Sequence, residues 1–298
     1  MKKLMQFVMV AVFLMAGASV QAGSGHYVSG AEGIKAATLP PEGVYWRVYN
    51  LFYTADELKD KNGKNVDVDF DVNVYALVNR LLYSSGIQFL GGNIVADIVV
   101  PLVYTDISVK NAGPYSFSDN EFGLGDILIE PLLLAWHGPR YDAAVGVGVY
   151  LPTGNFDADK PASPGKGFWT GMFTAGATFY FDEQRTWSAS ILSRYEIHSE
   201  QEDTNWTPGN DFHFEWGLGK TLDKIWDVGL AGYCRWQVTD DSGSGSVDDR
   251  EEAYAIGPEV SVFMPNYGLG VSLRSLWEFE NKLGSEGNVT TLMIMKAF

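Results

Sequence analysis

The sequence predicts an all-β fold: an antiparallel up-and-down transmembrane β-barrel of about twelve strands, with short periplasmic turns and long extracellular loops. Two observations predict it. Several segments alternate apolar and polar side chains with a strict period of two, as a sheet with one apolar and one wet face requires. The connections between such segments alternate between short and long. Composition agrees, because 14% aromatic residues and 33 glycines favour sheets with tight turns over helical bundles. A single cysteine, Cys234, permits no internal disulfide and no cysteine-based zinc site. A net charge of −16 excludes nucleic acid as a partner, since polyphosphate binding needs a basic footprint.

The first element is an export signal. Met1-Lys2-Lys3 is a positive start, Leu4 to Ala18 is apolar, and Val20-Gln21-Ala22 supplies the small-residue cleavage pattern. Residues 1–22 are therefore expected to be a signal peptide cut after Ala22. Residues 23–43 form a periplasmic N-terminal segment, and residues 44–298 form the barrel. The rest of the chain holds no long uninterrupted apolar run, so any membrane crossing must be made by strands. The destination is the bacterial outer membrane, with membrane lipid and lipopolysaccharide around the barrel.

The clearest strand is Val66 to Ala76, where Val66, Val68, Phe70, Val72, Val74 and Ala76 share one face. Phe212, Phe214, Trp216 and Leu218 alternate with polar residues in the same way, as do Trp187, Ala189, Ile191, Tyr195 and Ile197. Further strands are expected from near Val44, Ile87, Phe122, Tyr141, Phe168, Trp226, Glu252, Leu269 and Gly287. Short turns fall at 84–85, 137–140, 182–185, 223–224 and 265–266. Long loops fall at 54–65, 105–121, 152–167, 199–210, 239–251 and 280–287. Trp46, Phe52, Trp136, Phe168, Trp169, Trp187, Trp226, Trp236 and Trp277 fall toward strand ends, where interfacial aromatic girdles sit. The chain ends on Phe298, with Ile294, Leu292 and Thr290 on the same strand face, an ending of the kind the barrel assembly machinery reads. Lys296 interrupts that face but can snorkel to the interface.

If the apolar faces meet lipid, the polar faces line a lumen. The expected lining is Arg47 on the first strand and Asp67, Asp69, Asp71 and Asn73 on the second. Asp97 follows on the third strand, and Asp126 and Glu130 on the fourth. Arg194, Glu196, His213, Glu215 and Arg235 come from the middle of the chain, and Glu259, Arg274 and Glu278 from near its end. Carboxylates outnumber arginines here, so the pore should favour cations or neutral solutes. No cofactor, catalytic group or metal site is expected. Asp67-x-Asp69-x-Asp71 has calcium-loop spacing, but Val72 stands where such a loop needs glycine. Twelve-stranded outer-membrane phospholipases carry an Asn-Gly near their nucleophile, whereas His198-Ser199 is followed here by Glu200.

The stretch Gly25-His26-Tyr27-Val28-Ser29-Gly30-Ala31-Glu32-Gly33-Ile34-Lys35-Ala36-Ala37-Thr38-Leu39-Pro40-Pro41-Glu42-Gly43-Val44-Tyr45 resembles the start of a family associated with the meta-pathway of phenol degradation. Tyr150-Leu151-Pro152-Thr153-Gly154 and the terminal Phe298 are similar to that family too. The resemblance implies an outer-membrane barrel linked to catabolism of aromatic compounds, and hence passive uptake of small hydrophobic or aromatic solutes. Alternatives are a general cation-preferring porin, a barrel enzyme such as a phospholipase, and a structural surface protein. Gly25 to Gly43 is too punctuated by Gly and Pro to be a strand. It is either a plug across the mouth or lumen, or a loose lead-in.

Overall fold

The structure is a computed structural model that describes residues 24–246 and 249–298. The signal peptide expected over 1–22 and its cut after Ala22 lie outside the described residues. Twelve antiparallel strands close into one barrel. They are β1 (Gly43–Leu58), β2 (Asp69–Phe89), β3 (Gly92–Lys110), β4 (in two runs, Phe117–Leu124 and Ile127–His137), β5 (Tyr141–Leu151) and β6 (Thr170–Tyr180). The second half comprises β7 (Trp187–His198), β8 (Asp211–Leu222), β9 (Trp226–Gln237), β10 (Glu252–Met264), β11 (Leu269–Lys282) and β12 (Ser285–Ala297). Each strand pairs with its neighbours in sequence, and β1 pairs with both β2 and β12, which removes every sheet edge. The seam is finished by the Phe298 N–H, which donates to the Val44 carbonyl at 3.0 Å.

The strands run longer than expected at both ends. β2 continues through Ser84-Ser85 to Phe89, and the turn falls at Leu90-Gly91, both with positive φ. Ser84-Ser85 forms no turn because a bulge between Ser84 and Gln88 absorbs the irregularity within the ladder. At the opposite end, the expected long loops at 105–121 and 280–287 are mostly strand. β3 pairs with β4 out to Val109 and Phe117, and β11 passes to β12 through Leu283-Gly284 alone. The other loop-end connections stay long, and two of them meet in a small ladder of Trp206–Thr207 with Ser242–Gly243.

The length of β2 corrects the reading of its faces. Phe70, Val72, Val74 and Ala76 point into the barrel, where they join Leu51, Tyr53, Ile107, Val109, Leu276 and Val289 in a buried apolar cluster. Asp69, Asp71 and Asn73 lie exposed on the outer face, and Asp67 is exposed in the connection before β2, so none of these four lines the lumen. The alternation itself does not slip. Further along the same outer row stand Leu81, 50% exposed, and Tyr83, 56% exposed, as a lipid-facing surface requires. A spanning strand needs about 9–11 residues, and β2 has 21. Its first half projects past the apolar belt, so its outer face meets water and its inner face is free to build a core.

The aromatic girdle is present on the outside, with Trp46, Trp187 and Trp226 at the turn end and Trp169 and Trp277 toward the loop end, all exposed. Phe168 is the exception. It is 2% exposed and packs inside the barrel against His26, His198 and Trp206.

This register makes a labelling prediction. In a Cys234→Ser background, Asp71→Cys should react in intact cells with a membrane-impermeant maleimide, and Val72→Cys should not. Equal labelling of both would refute the assigned faces.

Candidate functional site

Residues 24–42 run through the lumen from the loop end to the turn end, and the inner wall is shaped to receive them. Where the segment passes closest, the wall carries glycine. A Cβ on Gly217 would stand 2.9 Å from the Gly33 carbonyl oxygen, and one on Gly176 would stand 2.9 Å from Ala37 Cβ. The segment turns at Gly30, whose φ of +82° favours glycine and which abuts Leu276 and Tyr233.

Polar contacts fix the segment along its whole course. At the loop end, the Ser24 N–H donates to Glu251 (3.1 Å) and its hydroxyl to Asp211 (3.3 Å). His26 Nε2 lies 2.8 Å from Asp126, and its Nδ1 lies 2.7 Å from the Thr170 hydroxyl. The Tyr27 N–H donates to Glu196 and its hydroxyl to Glu215 at 2.7 Å, while the Arg194 guanidinium stacks 3.9 Å above its ring. Ser29 Oγ lies 2.8 Å from His213 Nδ1, and the Gly30 N–H donates to Glu215. Toward the turn end, the Ile34 N–H donates to Glu259, Lys35 pairs with Asp227 at 2.7 Å, and the Thr38 hydroxyl donates to Asp142.

One cross-lumen cluster anchors the middle. Arg80 donates to Asp97 through Nε and Nη2 at 3.0 and 2.5 Å, to Glu130 at 3.0 Å and to Glu32 of the segment at 3.0 Å. Arg47 lies 3.5 Å from the other Glu32 oxygen, and the Tyr49 hydroxyl donates to Glu32. Burial raises the Glu32 carboxyl, but the guanidiniums of Arg47, Arg80, Arg194 and Arg274 outweigh it and hold the group below its ordinary value. Arg274 donates to the carbonyls of Gly30 and Ala31 and pairs with Glu259 at 3.2 Å. Glu278 is satisfied by the Tyr53 and Tyr233 hydroxyls, and Arg235 reaches Glu251 at 2.6 Å.

Arg47, Asp97, Asp126, Glu130, Arg194, Glu196, His213, Glu215, Arg235, Glu259, Arg274 and Glu278 thus all face the interior. They meet the N-terminal segment and one another rather than an open pore. Sequence reasoning missed Arg80, although its parity with Phe70 to Ala76 was the available signal. It also missed Lys166 and Glu251, which reach the interior from loops and carry no alternation to reveal them. Glu196, Asp211 and His213 bring three possible ligand atoms within 4.8 Å of one another. His213 is spent on Glu196 (2.9 Å) and Ser29, and Asp211 Oδ2 takes the Ser24 hydroxyl.

Beside the segment lies a cavity of about 140 Å³. Val28, Leu51, Val78, Val99, Pro101 and Leu128 form its apolar wall. Tyr27, Tyr49 and Tyr150 surround it, and Arg80 and Glu130 stand at its edge. It adjoins the break in β4, where Gly125 leaves the ladder and its N–H donates to the Pro101 carbonyl at 3.0 Å. Pro101 has no N–H to continue the ladder there.

Fold and interior together define an outer-membrane β-barrel whose lumen holds its own N-terminal segment. The chain belongs to the family described as "Putative MetA-pathway of phenol degradation", which matches residues 55–294. Among solved structures it is similar to the COG4313 outer membrane channel from Pseudomonas putida F1, at 16% identity and a TM-score of 0.78, covering 89% of this chain and 98% of that one. It is also similar to the β domain of the Bordetella autotransporter BrkA, at 12% identity and a TM-score of 0.50, covering 87% of this chain and 100% of that one. The transport unit of the autotransporter AIDA-I from Escherichia coli matches at 8% identity and a TM-score of 0.50, covering 97% of this chain and 98% of that one. At these identities the likeness is one of fold. A comparison with curated proteins found no match.

The seating of the segment should depend on pH through His26. Burial lowers the imidazole pKa, against the raising effect of Asp126, so the seated ring is neutral at a pH where a released one is charged. The released segment then binds more protons below about pH 6.5, the ordinary histidine value, so seating is fully favoured above that value and weakens as pH falls through it. Acidification from pH 7.5 to 5 should raise protease access to the segment in detergent-solubilised protein, and His26→Gln should flatten the response. A pH-independent wild type would contradict this.

Proposed function

We propose that the protein is a passive outer-membrane channel for small, sparingly soluble aromatic solutes, gated by residues 24–42. The observation that carries this reading is the cavity between that segment and the β1–β4 wall. At about 140 Å³ it is close to the roughly 150 Å³ of an engineered apolar cavity that binds benzene. The apolar wall accepts a ring, and the tyrosine hydroxyls with Arg80 and Glu130 offer partners for a ring hydroxyl. Membership of a family described by phenol degradation supports the same solute class. Transport requires no chemistry: a solute enters from the loop end, rests against the apolar wall, and passes when the segment shifts.

The general cation-preferring porin is disfavoured, because the acidic lumen groups are engaged by arginines and by the N-terminal segment rather than facing an open aqueous path. An enzymatic reading has no support from the histidines. His198 and His213 lie inside the barrel, away from lipid, and are 8% and 1% exposed.

Binding tests the reading directly. The purified protein should bind phenol in calorimetry, and Ala76→Phe, which fills the cavity from the β2 wall, should weaken binding at least tenfold and slow phenol entry into proteoliposomes. Unchanged binding in a folded Ala76→Phe barrel would remove the cavity from the account.

A further inference from the structure

The acidic cluster at the loop end is short of positive charge. Glu196, Asp211 and Glu251 are each 0–2% exposed, and Asp241 adjoins them from the loop after β9. Among the described residues, two groups with permanent or near-permanent charge face this cluster, Arg235 and Lys166. Arg235 spans Glu251 at 2.6 Å and Asp211 at 3.6 Å. The Lys166 ammonium donates to the carbonyls of Ser24 and Gly25. His213 serves Glu196, and His198 lies 3.4 Å from Asp211. Asp211 Oδ1 receives no hydrogen bond among the described residues, and neither does Gln201 Oε1, on a side chain 2% exposed. Burying this many carboxylates without a further cation is costly.

The described chain starts inside this cluster. Ser24 is 4% exposed, with its N–H on Glu251 and its hydroxyl on Asp211. The nitrogen of residue 23 is three covalent bonds from the Ser24 nitrogen, so no more than about 4 Å from it. We propose that removal of the signal peptide completes the gate: the α-ammonium freed at Gly23 is the missing cation of the Glu251–Asp211–Glu196 cluster, and it holds residues 24–42 in the lumen. Before cleavage the same nitrogen is an uncharged amide with one proton to donate. Hydrolysis of the Ala22–Gly23 bond turns it into an ammonium with three N–H donors, and the Ala22 carboxylate leaves with the signal. The site also measures length. Each residue added ahead of Gly23 moves the charge by up to about 3.5 Å. Gly25 already sits so close that a Cβ there would stand 2.8 Å from Asp211 Oδ2, which leaves no slack for the added chain. Maturation by proteolysis is thereby coupled to closure.

This inference rests on the reading of residues 24–42 as a gate, and the test separates the two. Three forms exported to the outer membrane and purified from it are compared in planar bilayers in plain salt: the native chain, a chain with two alanines inserted between Ala22 and Gly23, and a deletion of residues 24–42. A fourth is the native protein acetylated at mildly acidic pH, where the α-amine reacts before lysine, with one added acetyl confirmed by mass spectrometry. Heat-modifiable mobility on gels confirms that each barrel is folded. Expected are a native chain that begins at Gly23 and is mostly closed, and extended and acetylated forms that open at least tenfold more often, approaching the deletion. If the deletion opens but the extended and acetylated forms stay as closed as the native protein, the ammonium has no role and the gate stands. If the deletion leaves conductance unchanged, both fall. A native chain that begins elsewhere than Gly23 also overturns the proposal.

Discussion

The structure depends on one constraint: charge buried inside a closed barrel has to be neutralised from within. The wall brings carboxylates and arginines inward on almost every strand, and β-barrel geometry gives them no route to bulk water through the wall. Arg80 illustrates the solution. Its fork is shared among Asp97, Glu130 and Glu32, two acids from the wall and one from the N-terminal segment. Removing one partner from such a group leaves an uncompensated charge, typically at a cost of about 3–5 kcal/mol. The N-terminal segment is therefore a structural component of the lumen as well as an obstruction. Its backbone N–H groups at Tyr27, Gly30 and Ile34 serve Glu196, Glu215 and Glu259, positions at which an empty barrel would need water or ions.

Period-two alternation made the barrel and most of its inward residues legible in the sequence. What alternation cannot say is which medium each face meets. In β2 the same outward row carries Asp69, Asp71 and Asn73 beyond the apolar belt and Leu81 and Tyr83 within it. Read alone, the acidic half looks like a lumen lining, and the apolar half-turn of Phe70 to Ala76 looks like a lipid face. Only the length of the strand, revealed by the turn at Leu90-Gly91, reverses the assignment. The turn was misplaced because Ser84-Ser85 has the composition of a turn and the conformation of a bulge. The partners of the segment were hidden for a different reason. Ser24, His26 and Glu32 lie on irregular backbone, and Lys166 and Glu251 on loops, where no period connects residues that meet across the lumen.

The interior also shows how a selective passage and a closed one can coexist. The segment contacts the polar side of the lumen along Arg194, His213, Glu215 and Glu259, and leaves the apolar side formed by β1 to β4 partly unfilled. A hydrophobic solute can occupy the unfilled side without breaking the ion pairs that hold the segment. A hydrated ion cannot, because the apolar wall offers it no ligands in place of water. Selection by solute class thus follows from where the segment lies.

The central claim is that the N-terminal segment, held in the lumen, controls the passage. Ser29→Cys with His213→Cys, built on Cys234→Ser, places a thiol pair where Ser29 Oγ and His213 Nδ1 are 2.8 Å apart. Single-channel recording of this protein under oxidising and then reducing conditions is the most direct measurement. The account predicts that a disulfide forms, that the oxidised channel never opens, and that reduction restores opening. Thiols that fail to pair in the folded barrel, or a crosslinked barrel that conducts as freely as the reduced one, would contradict it.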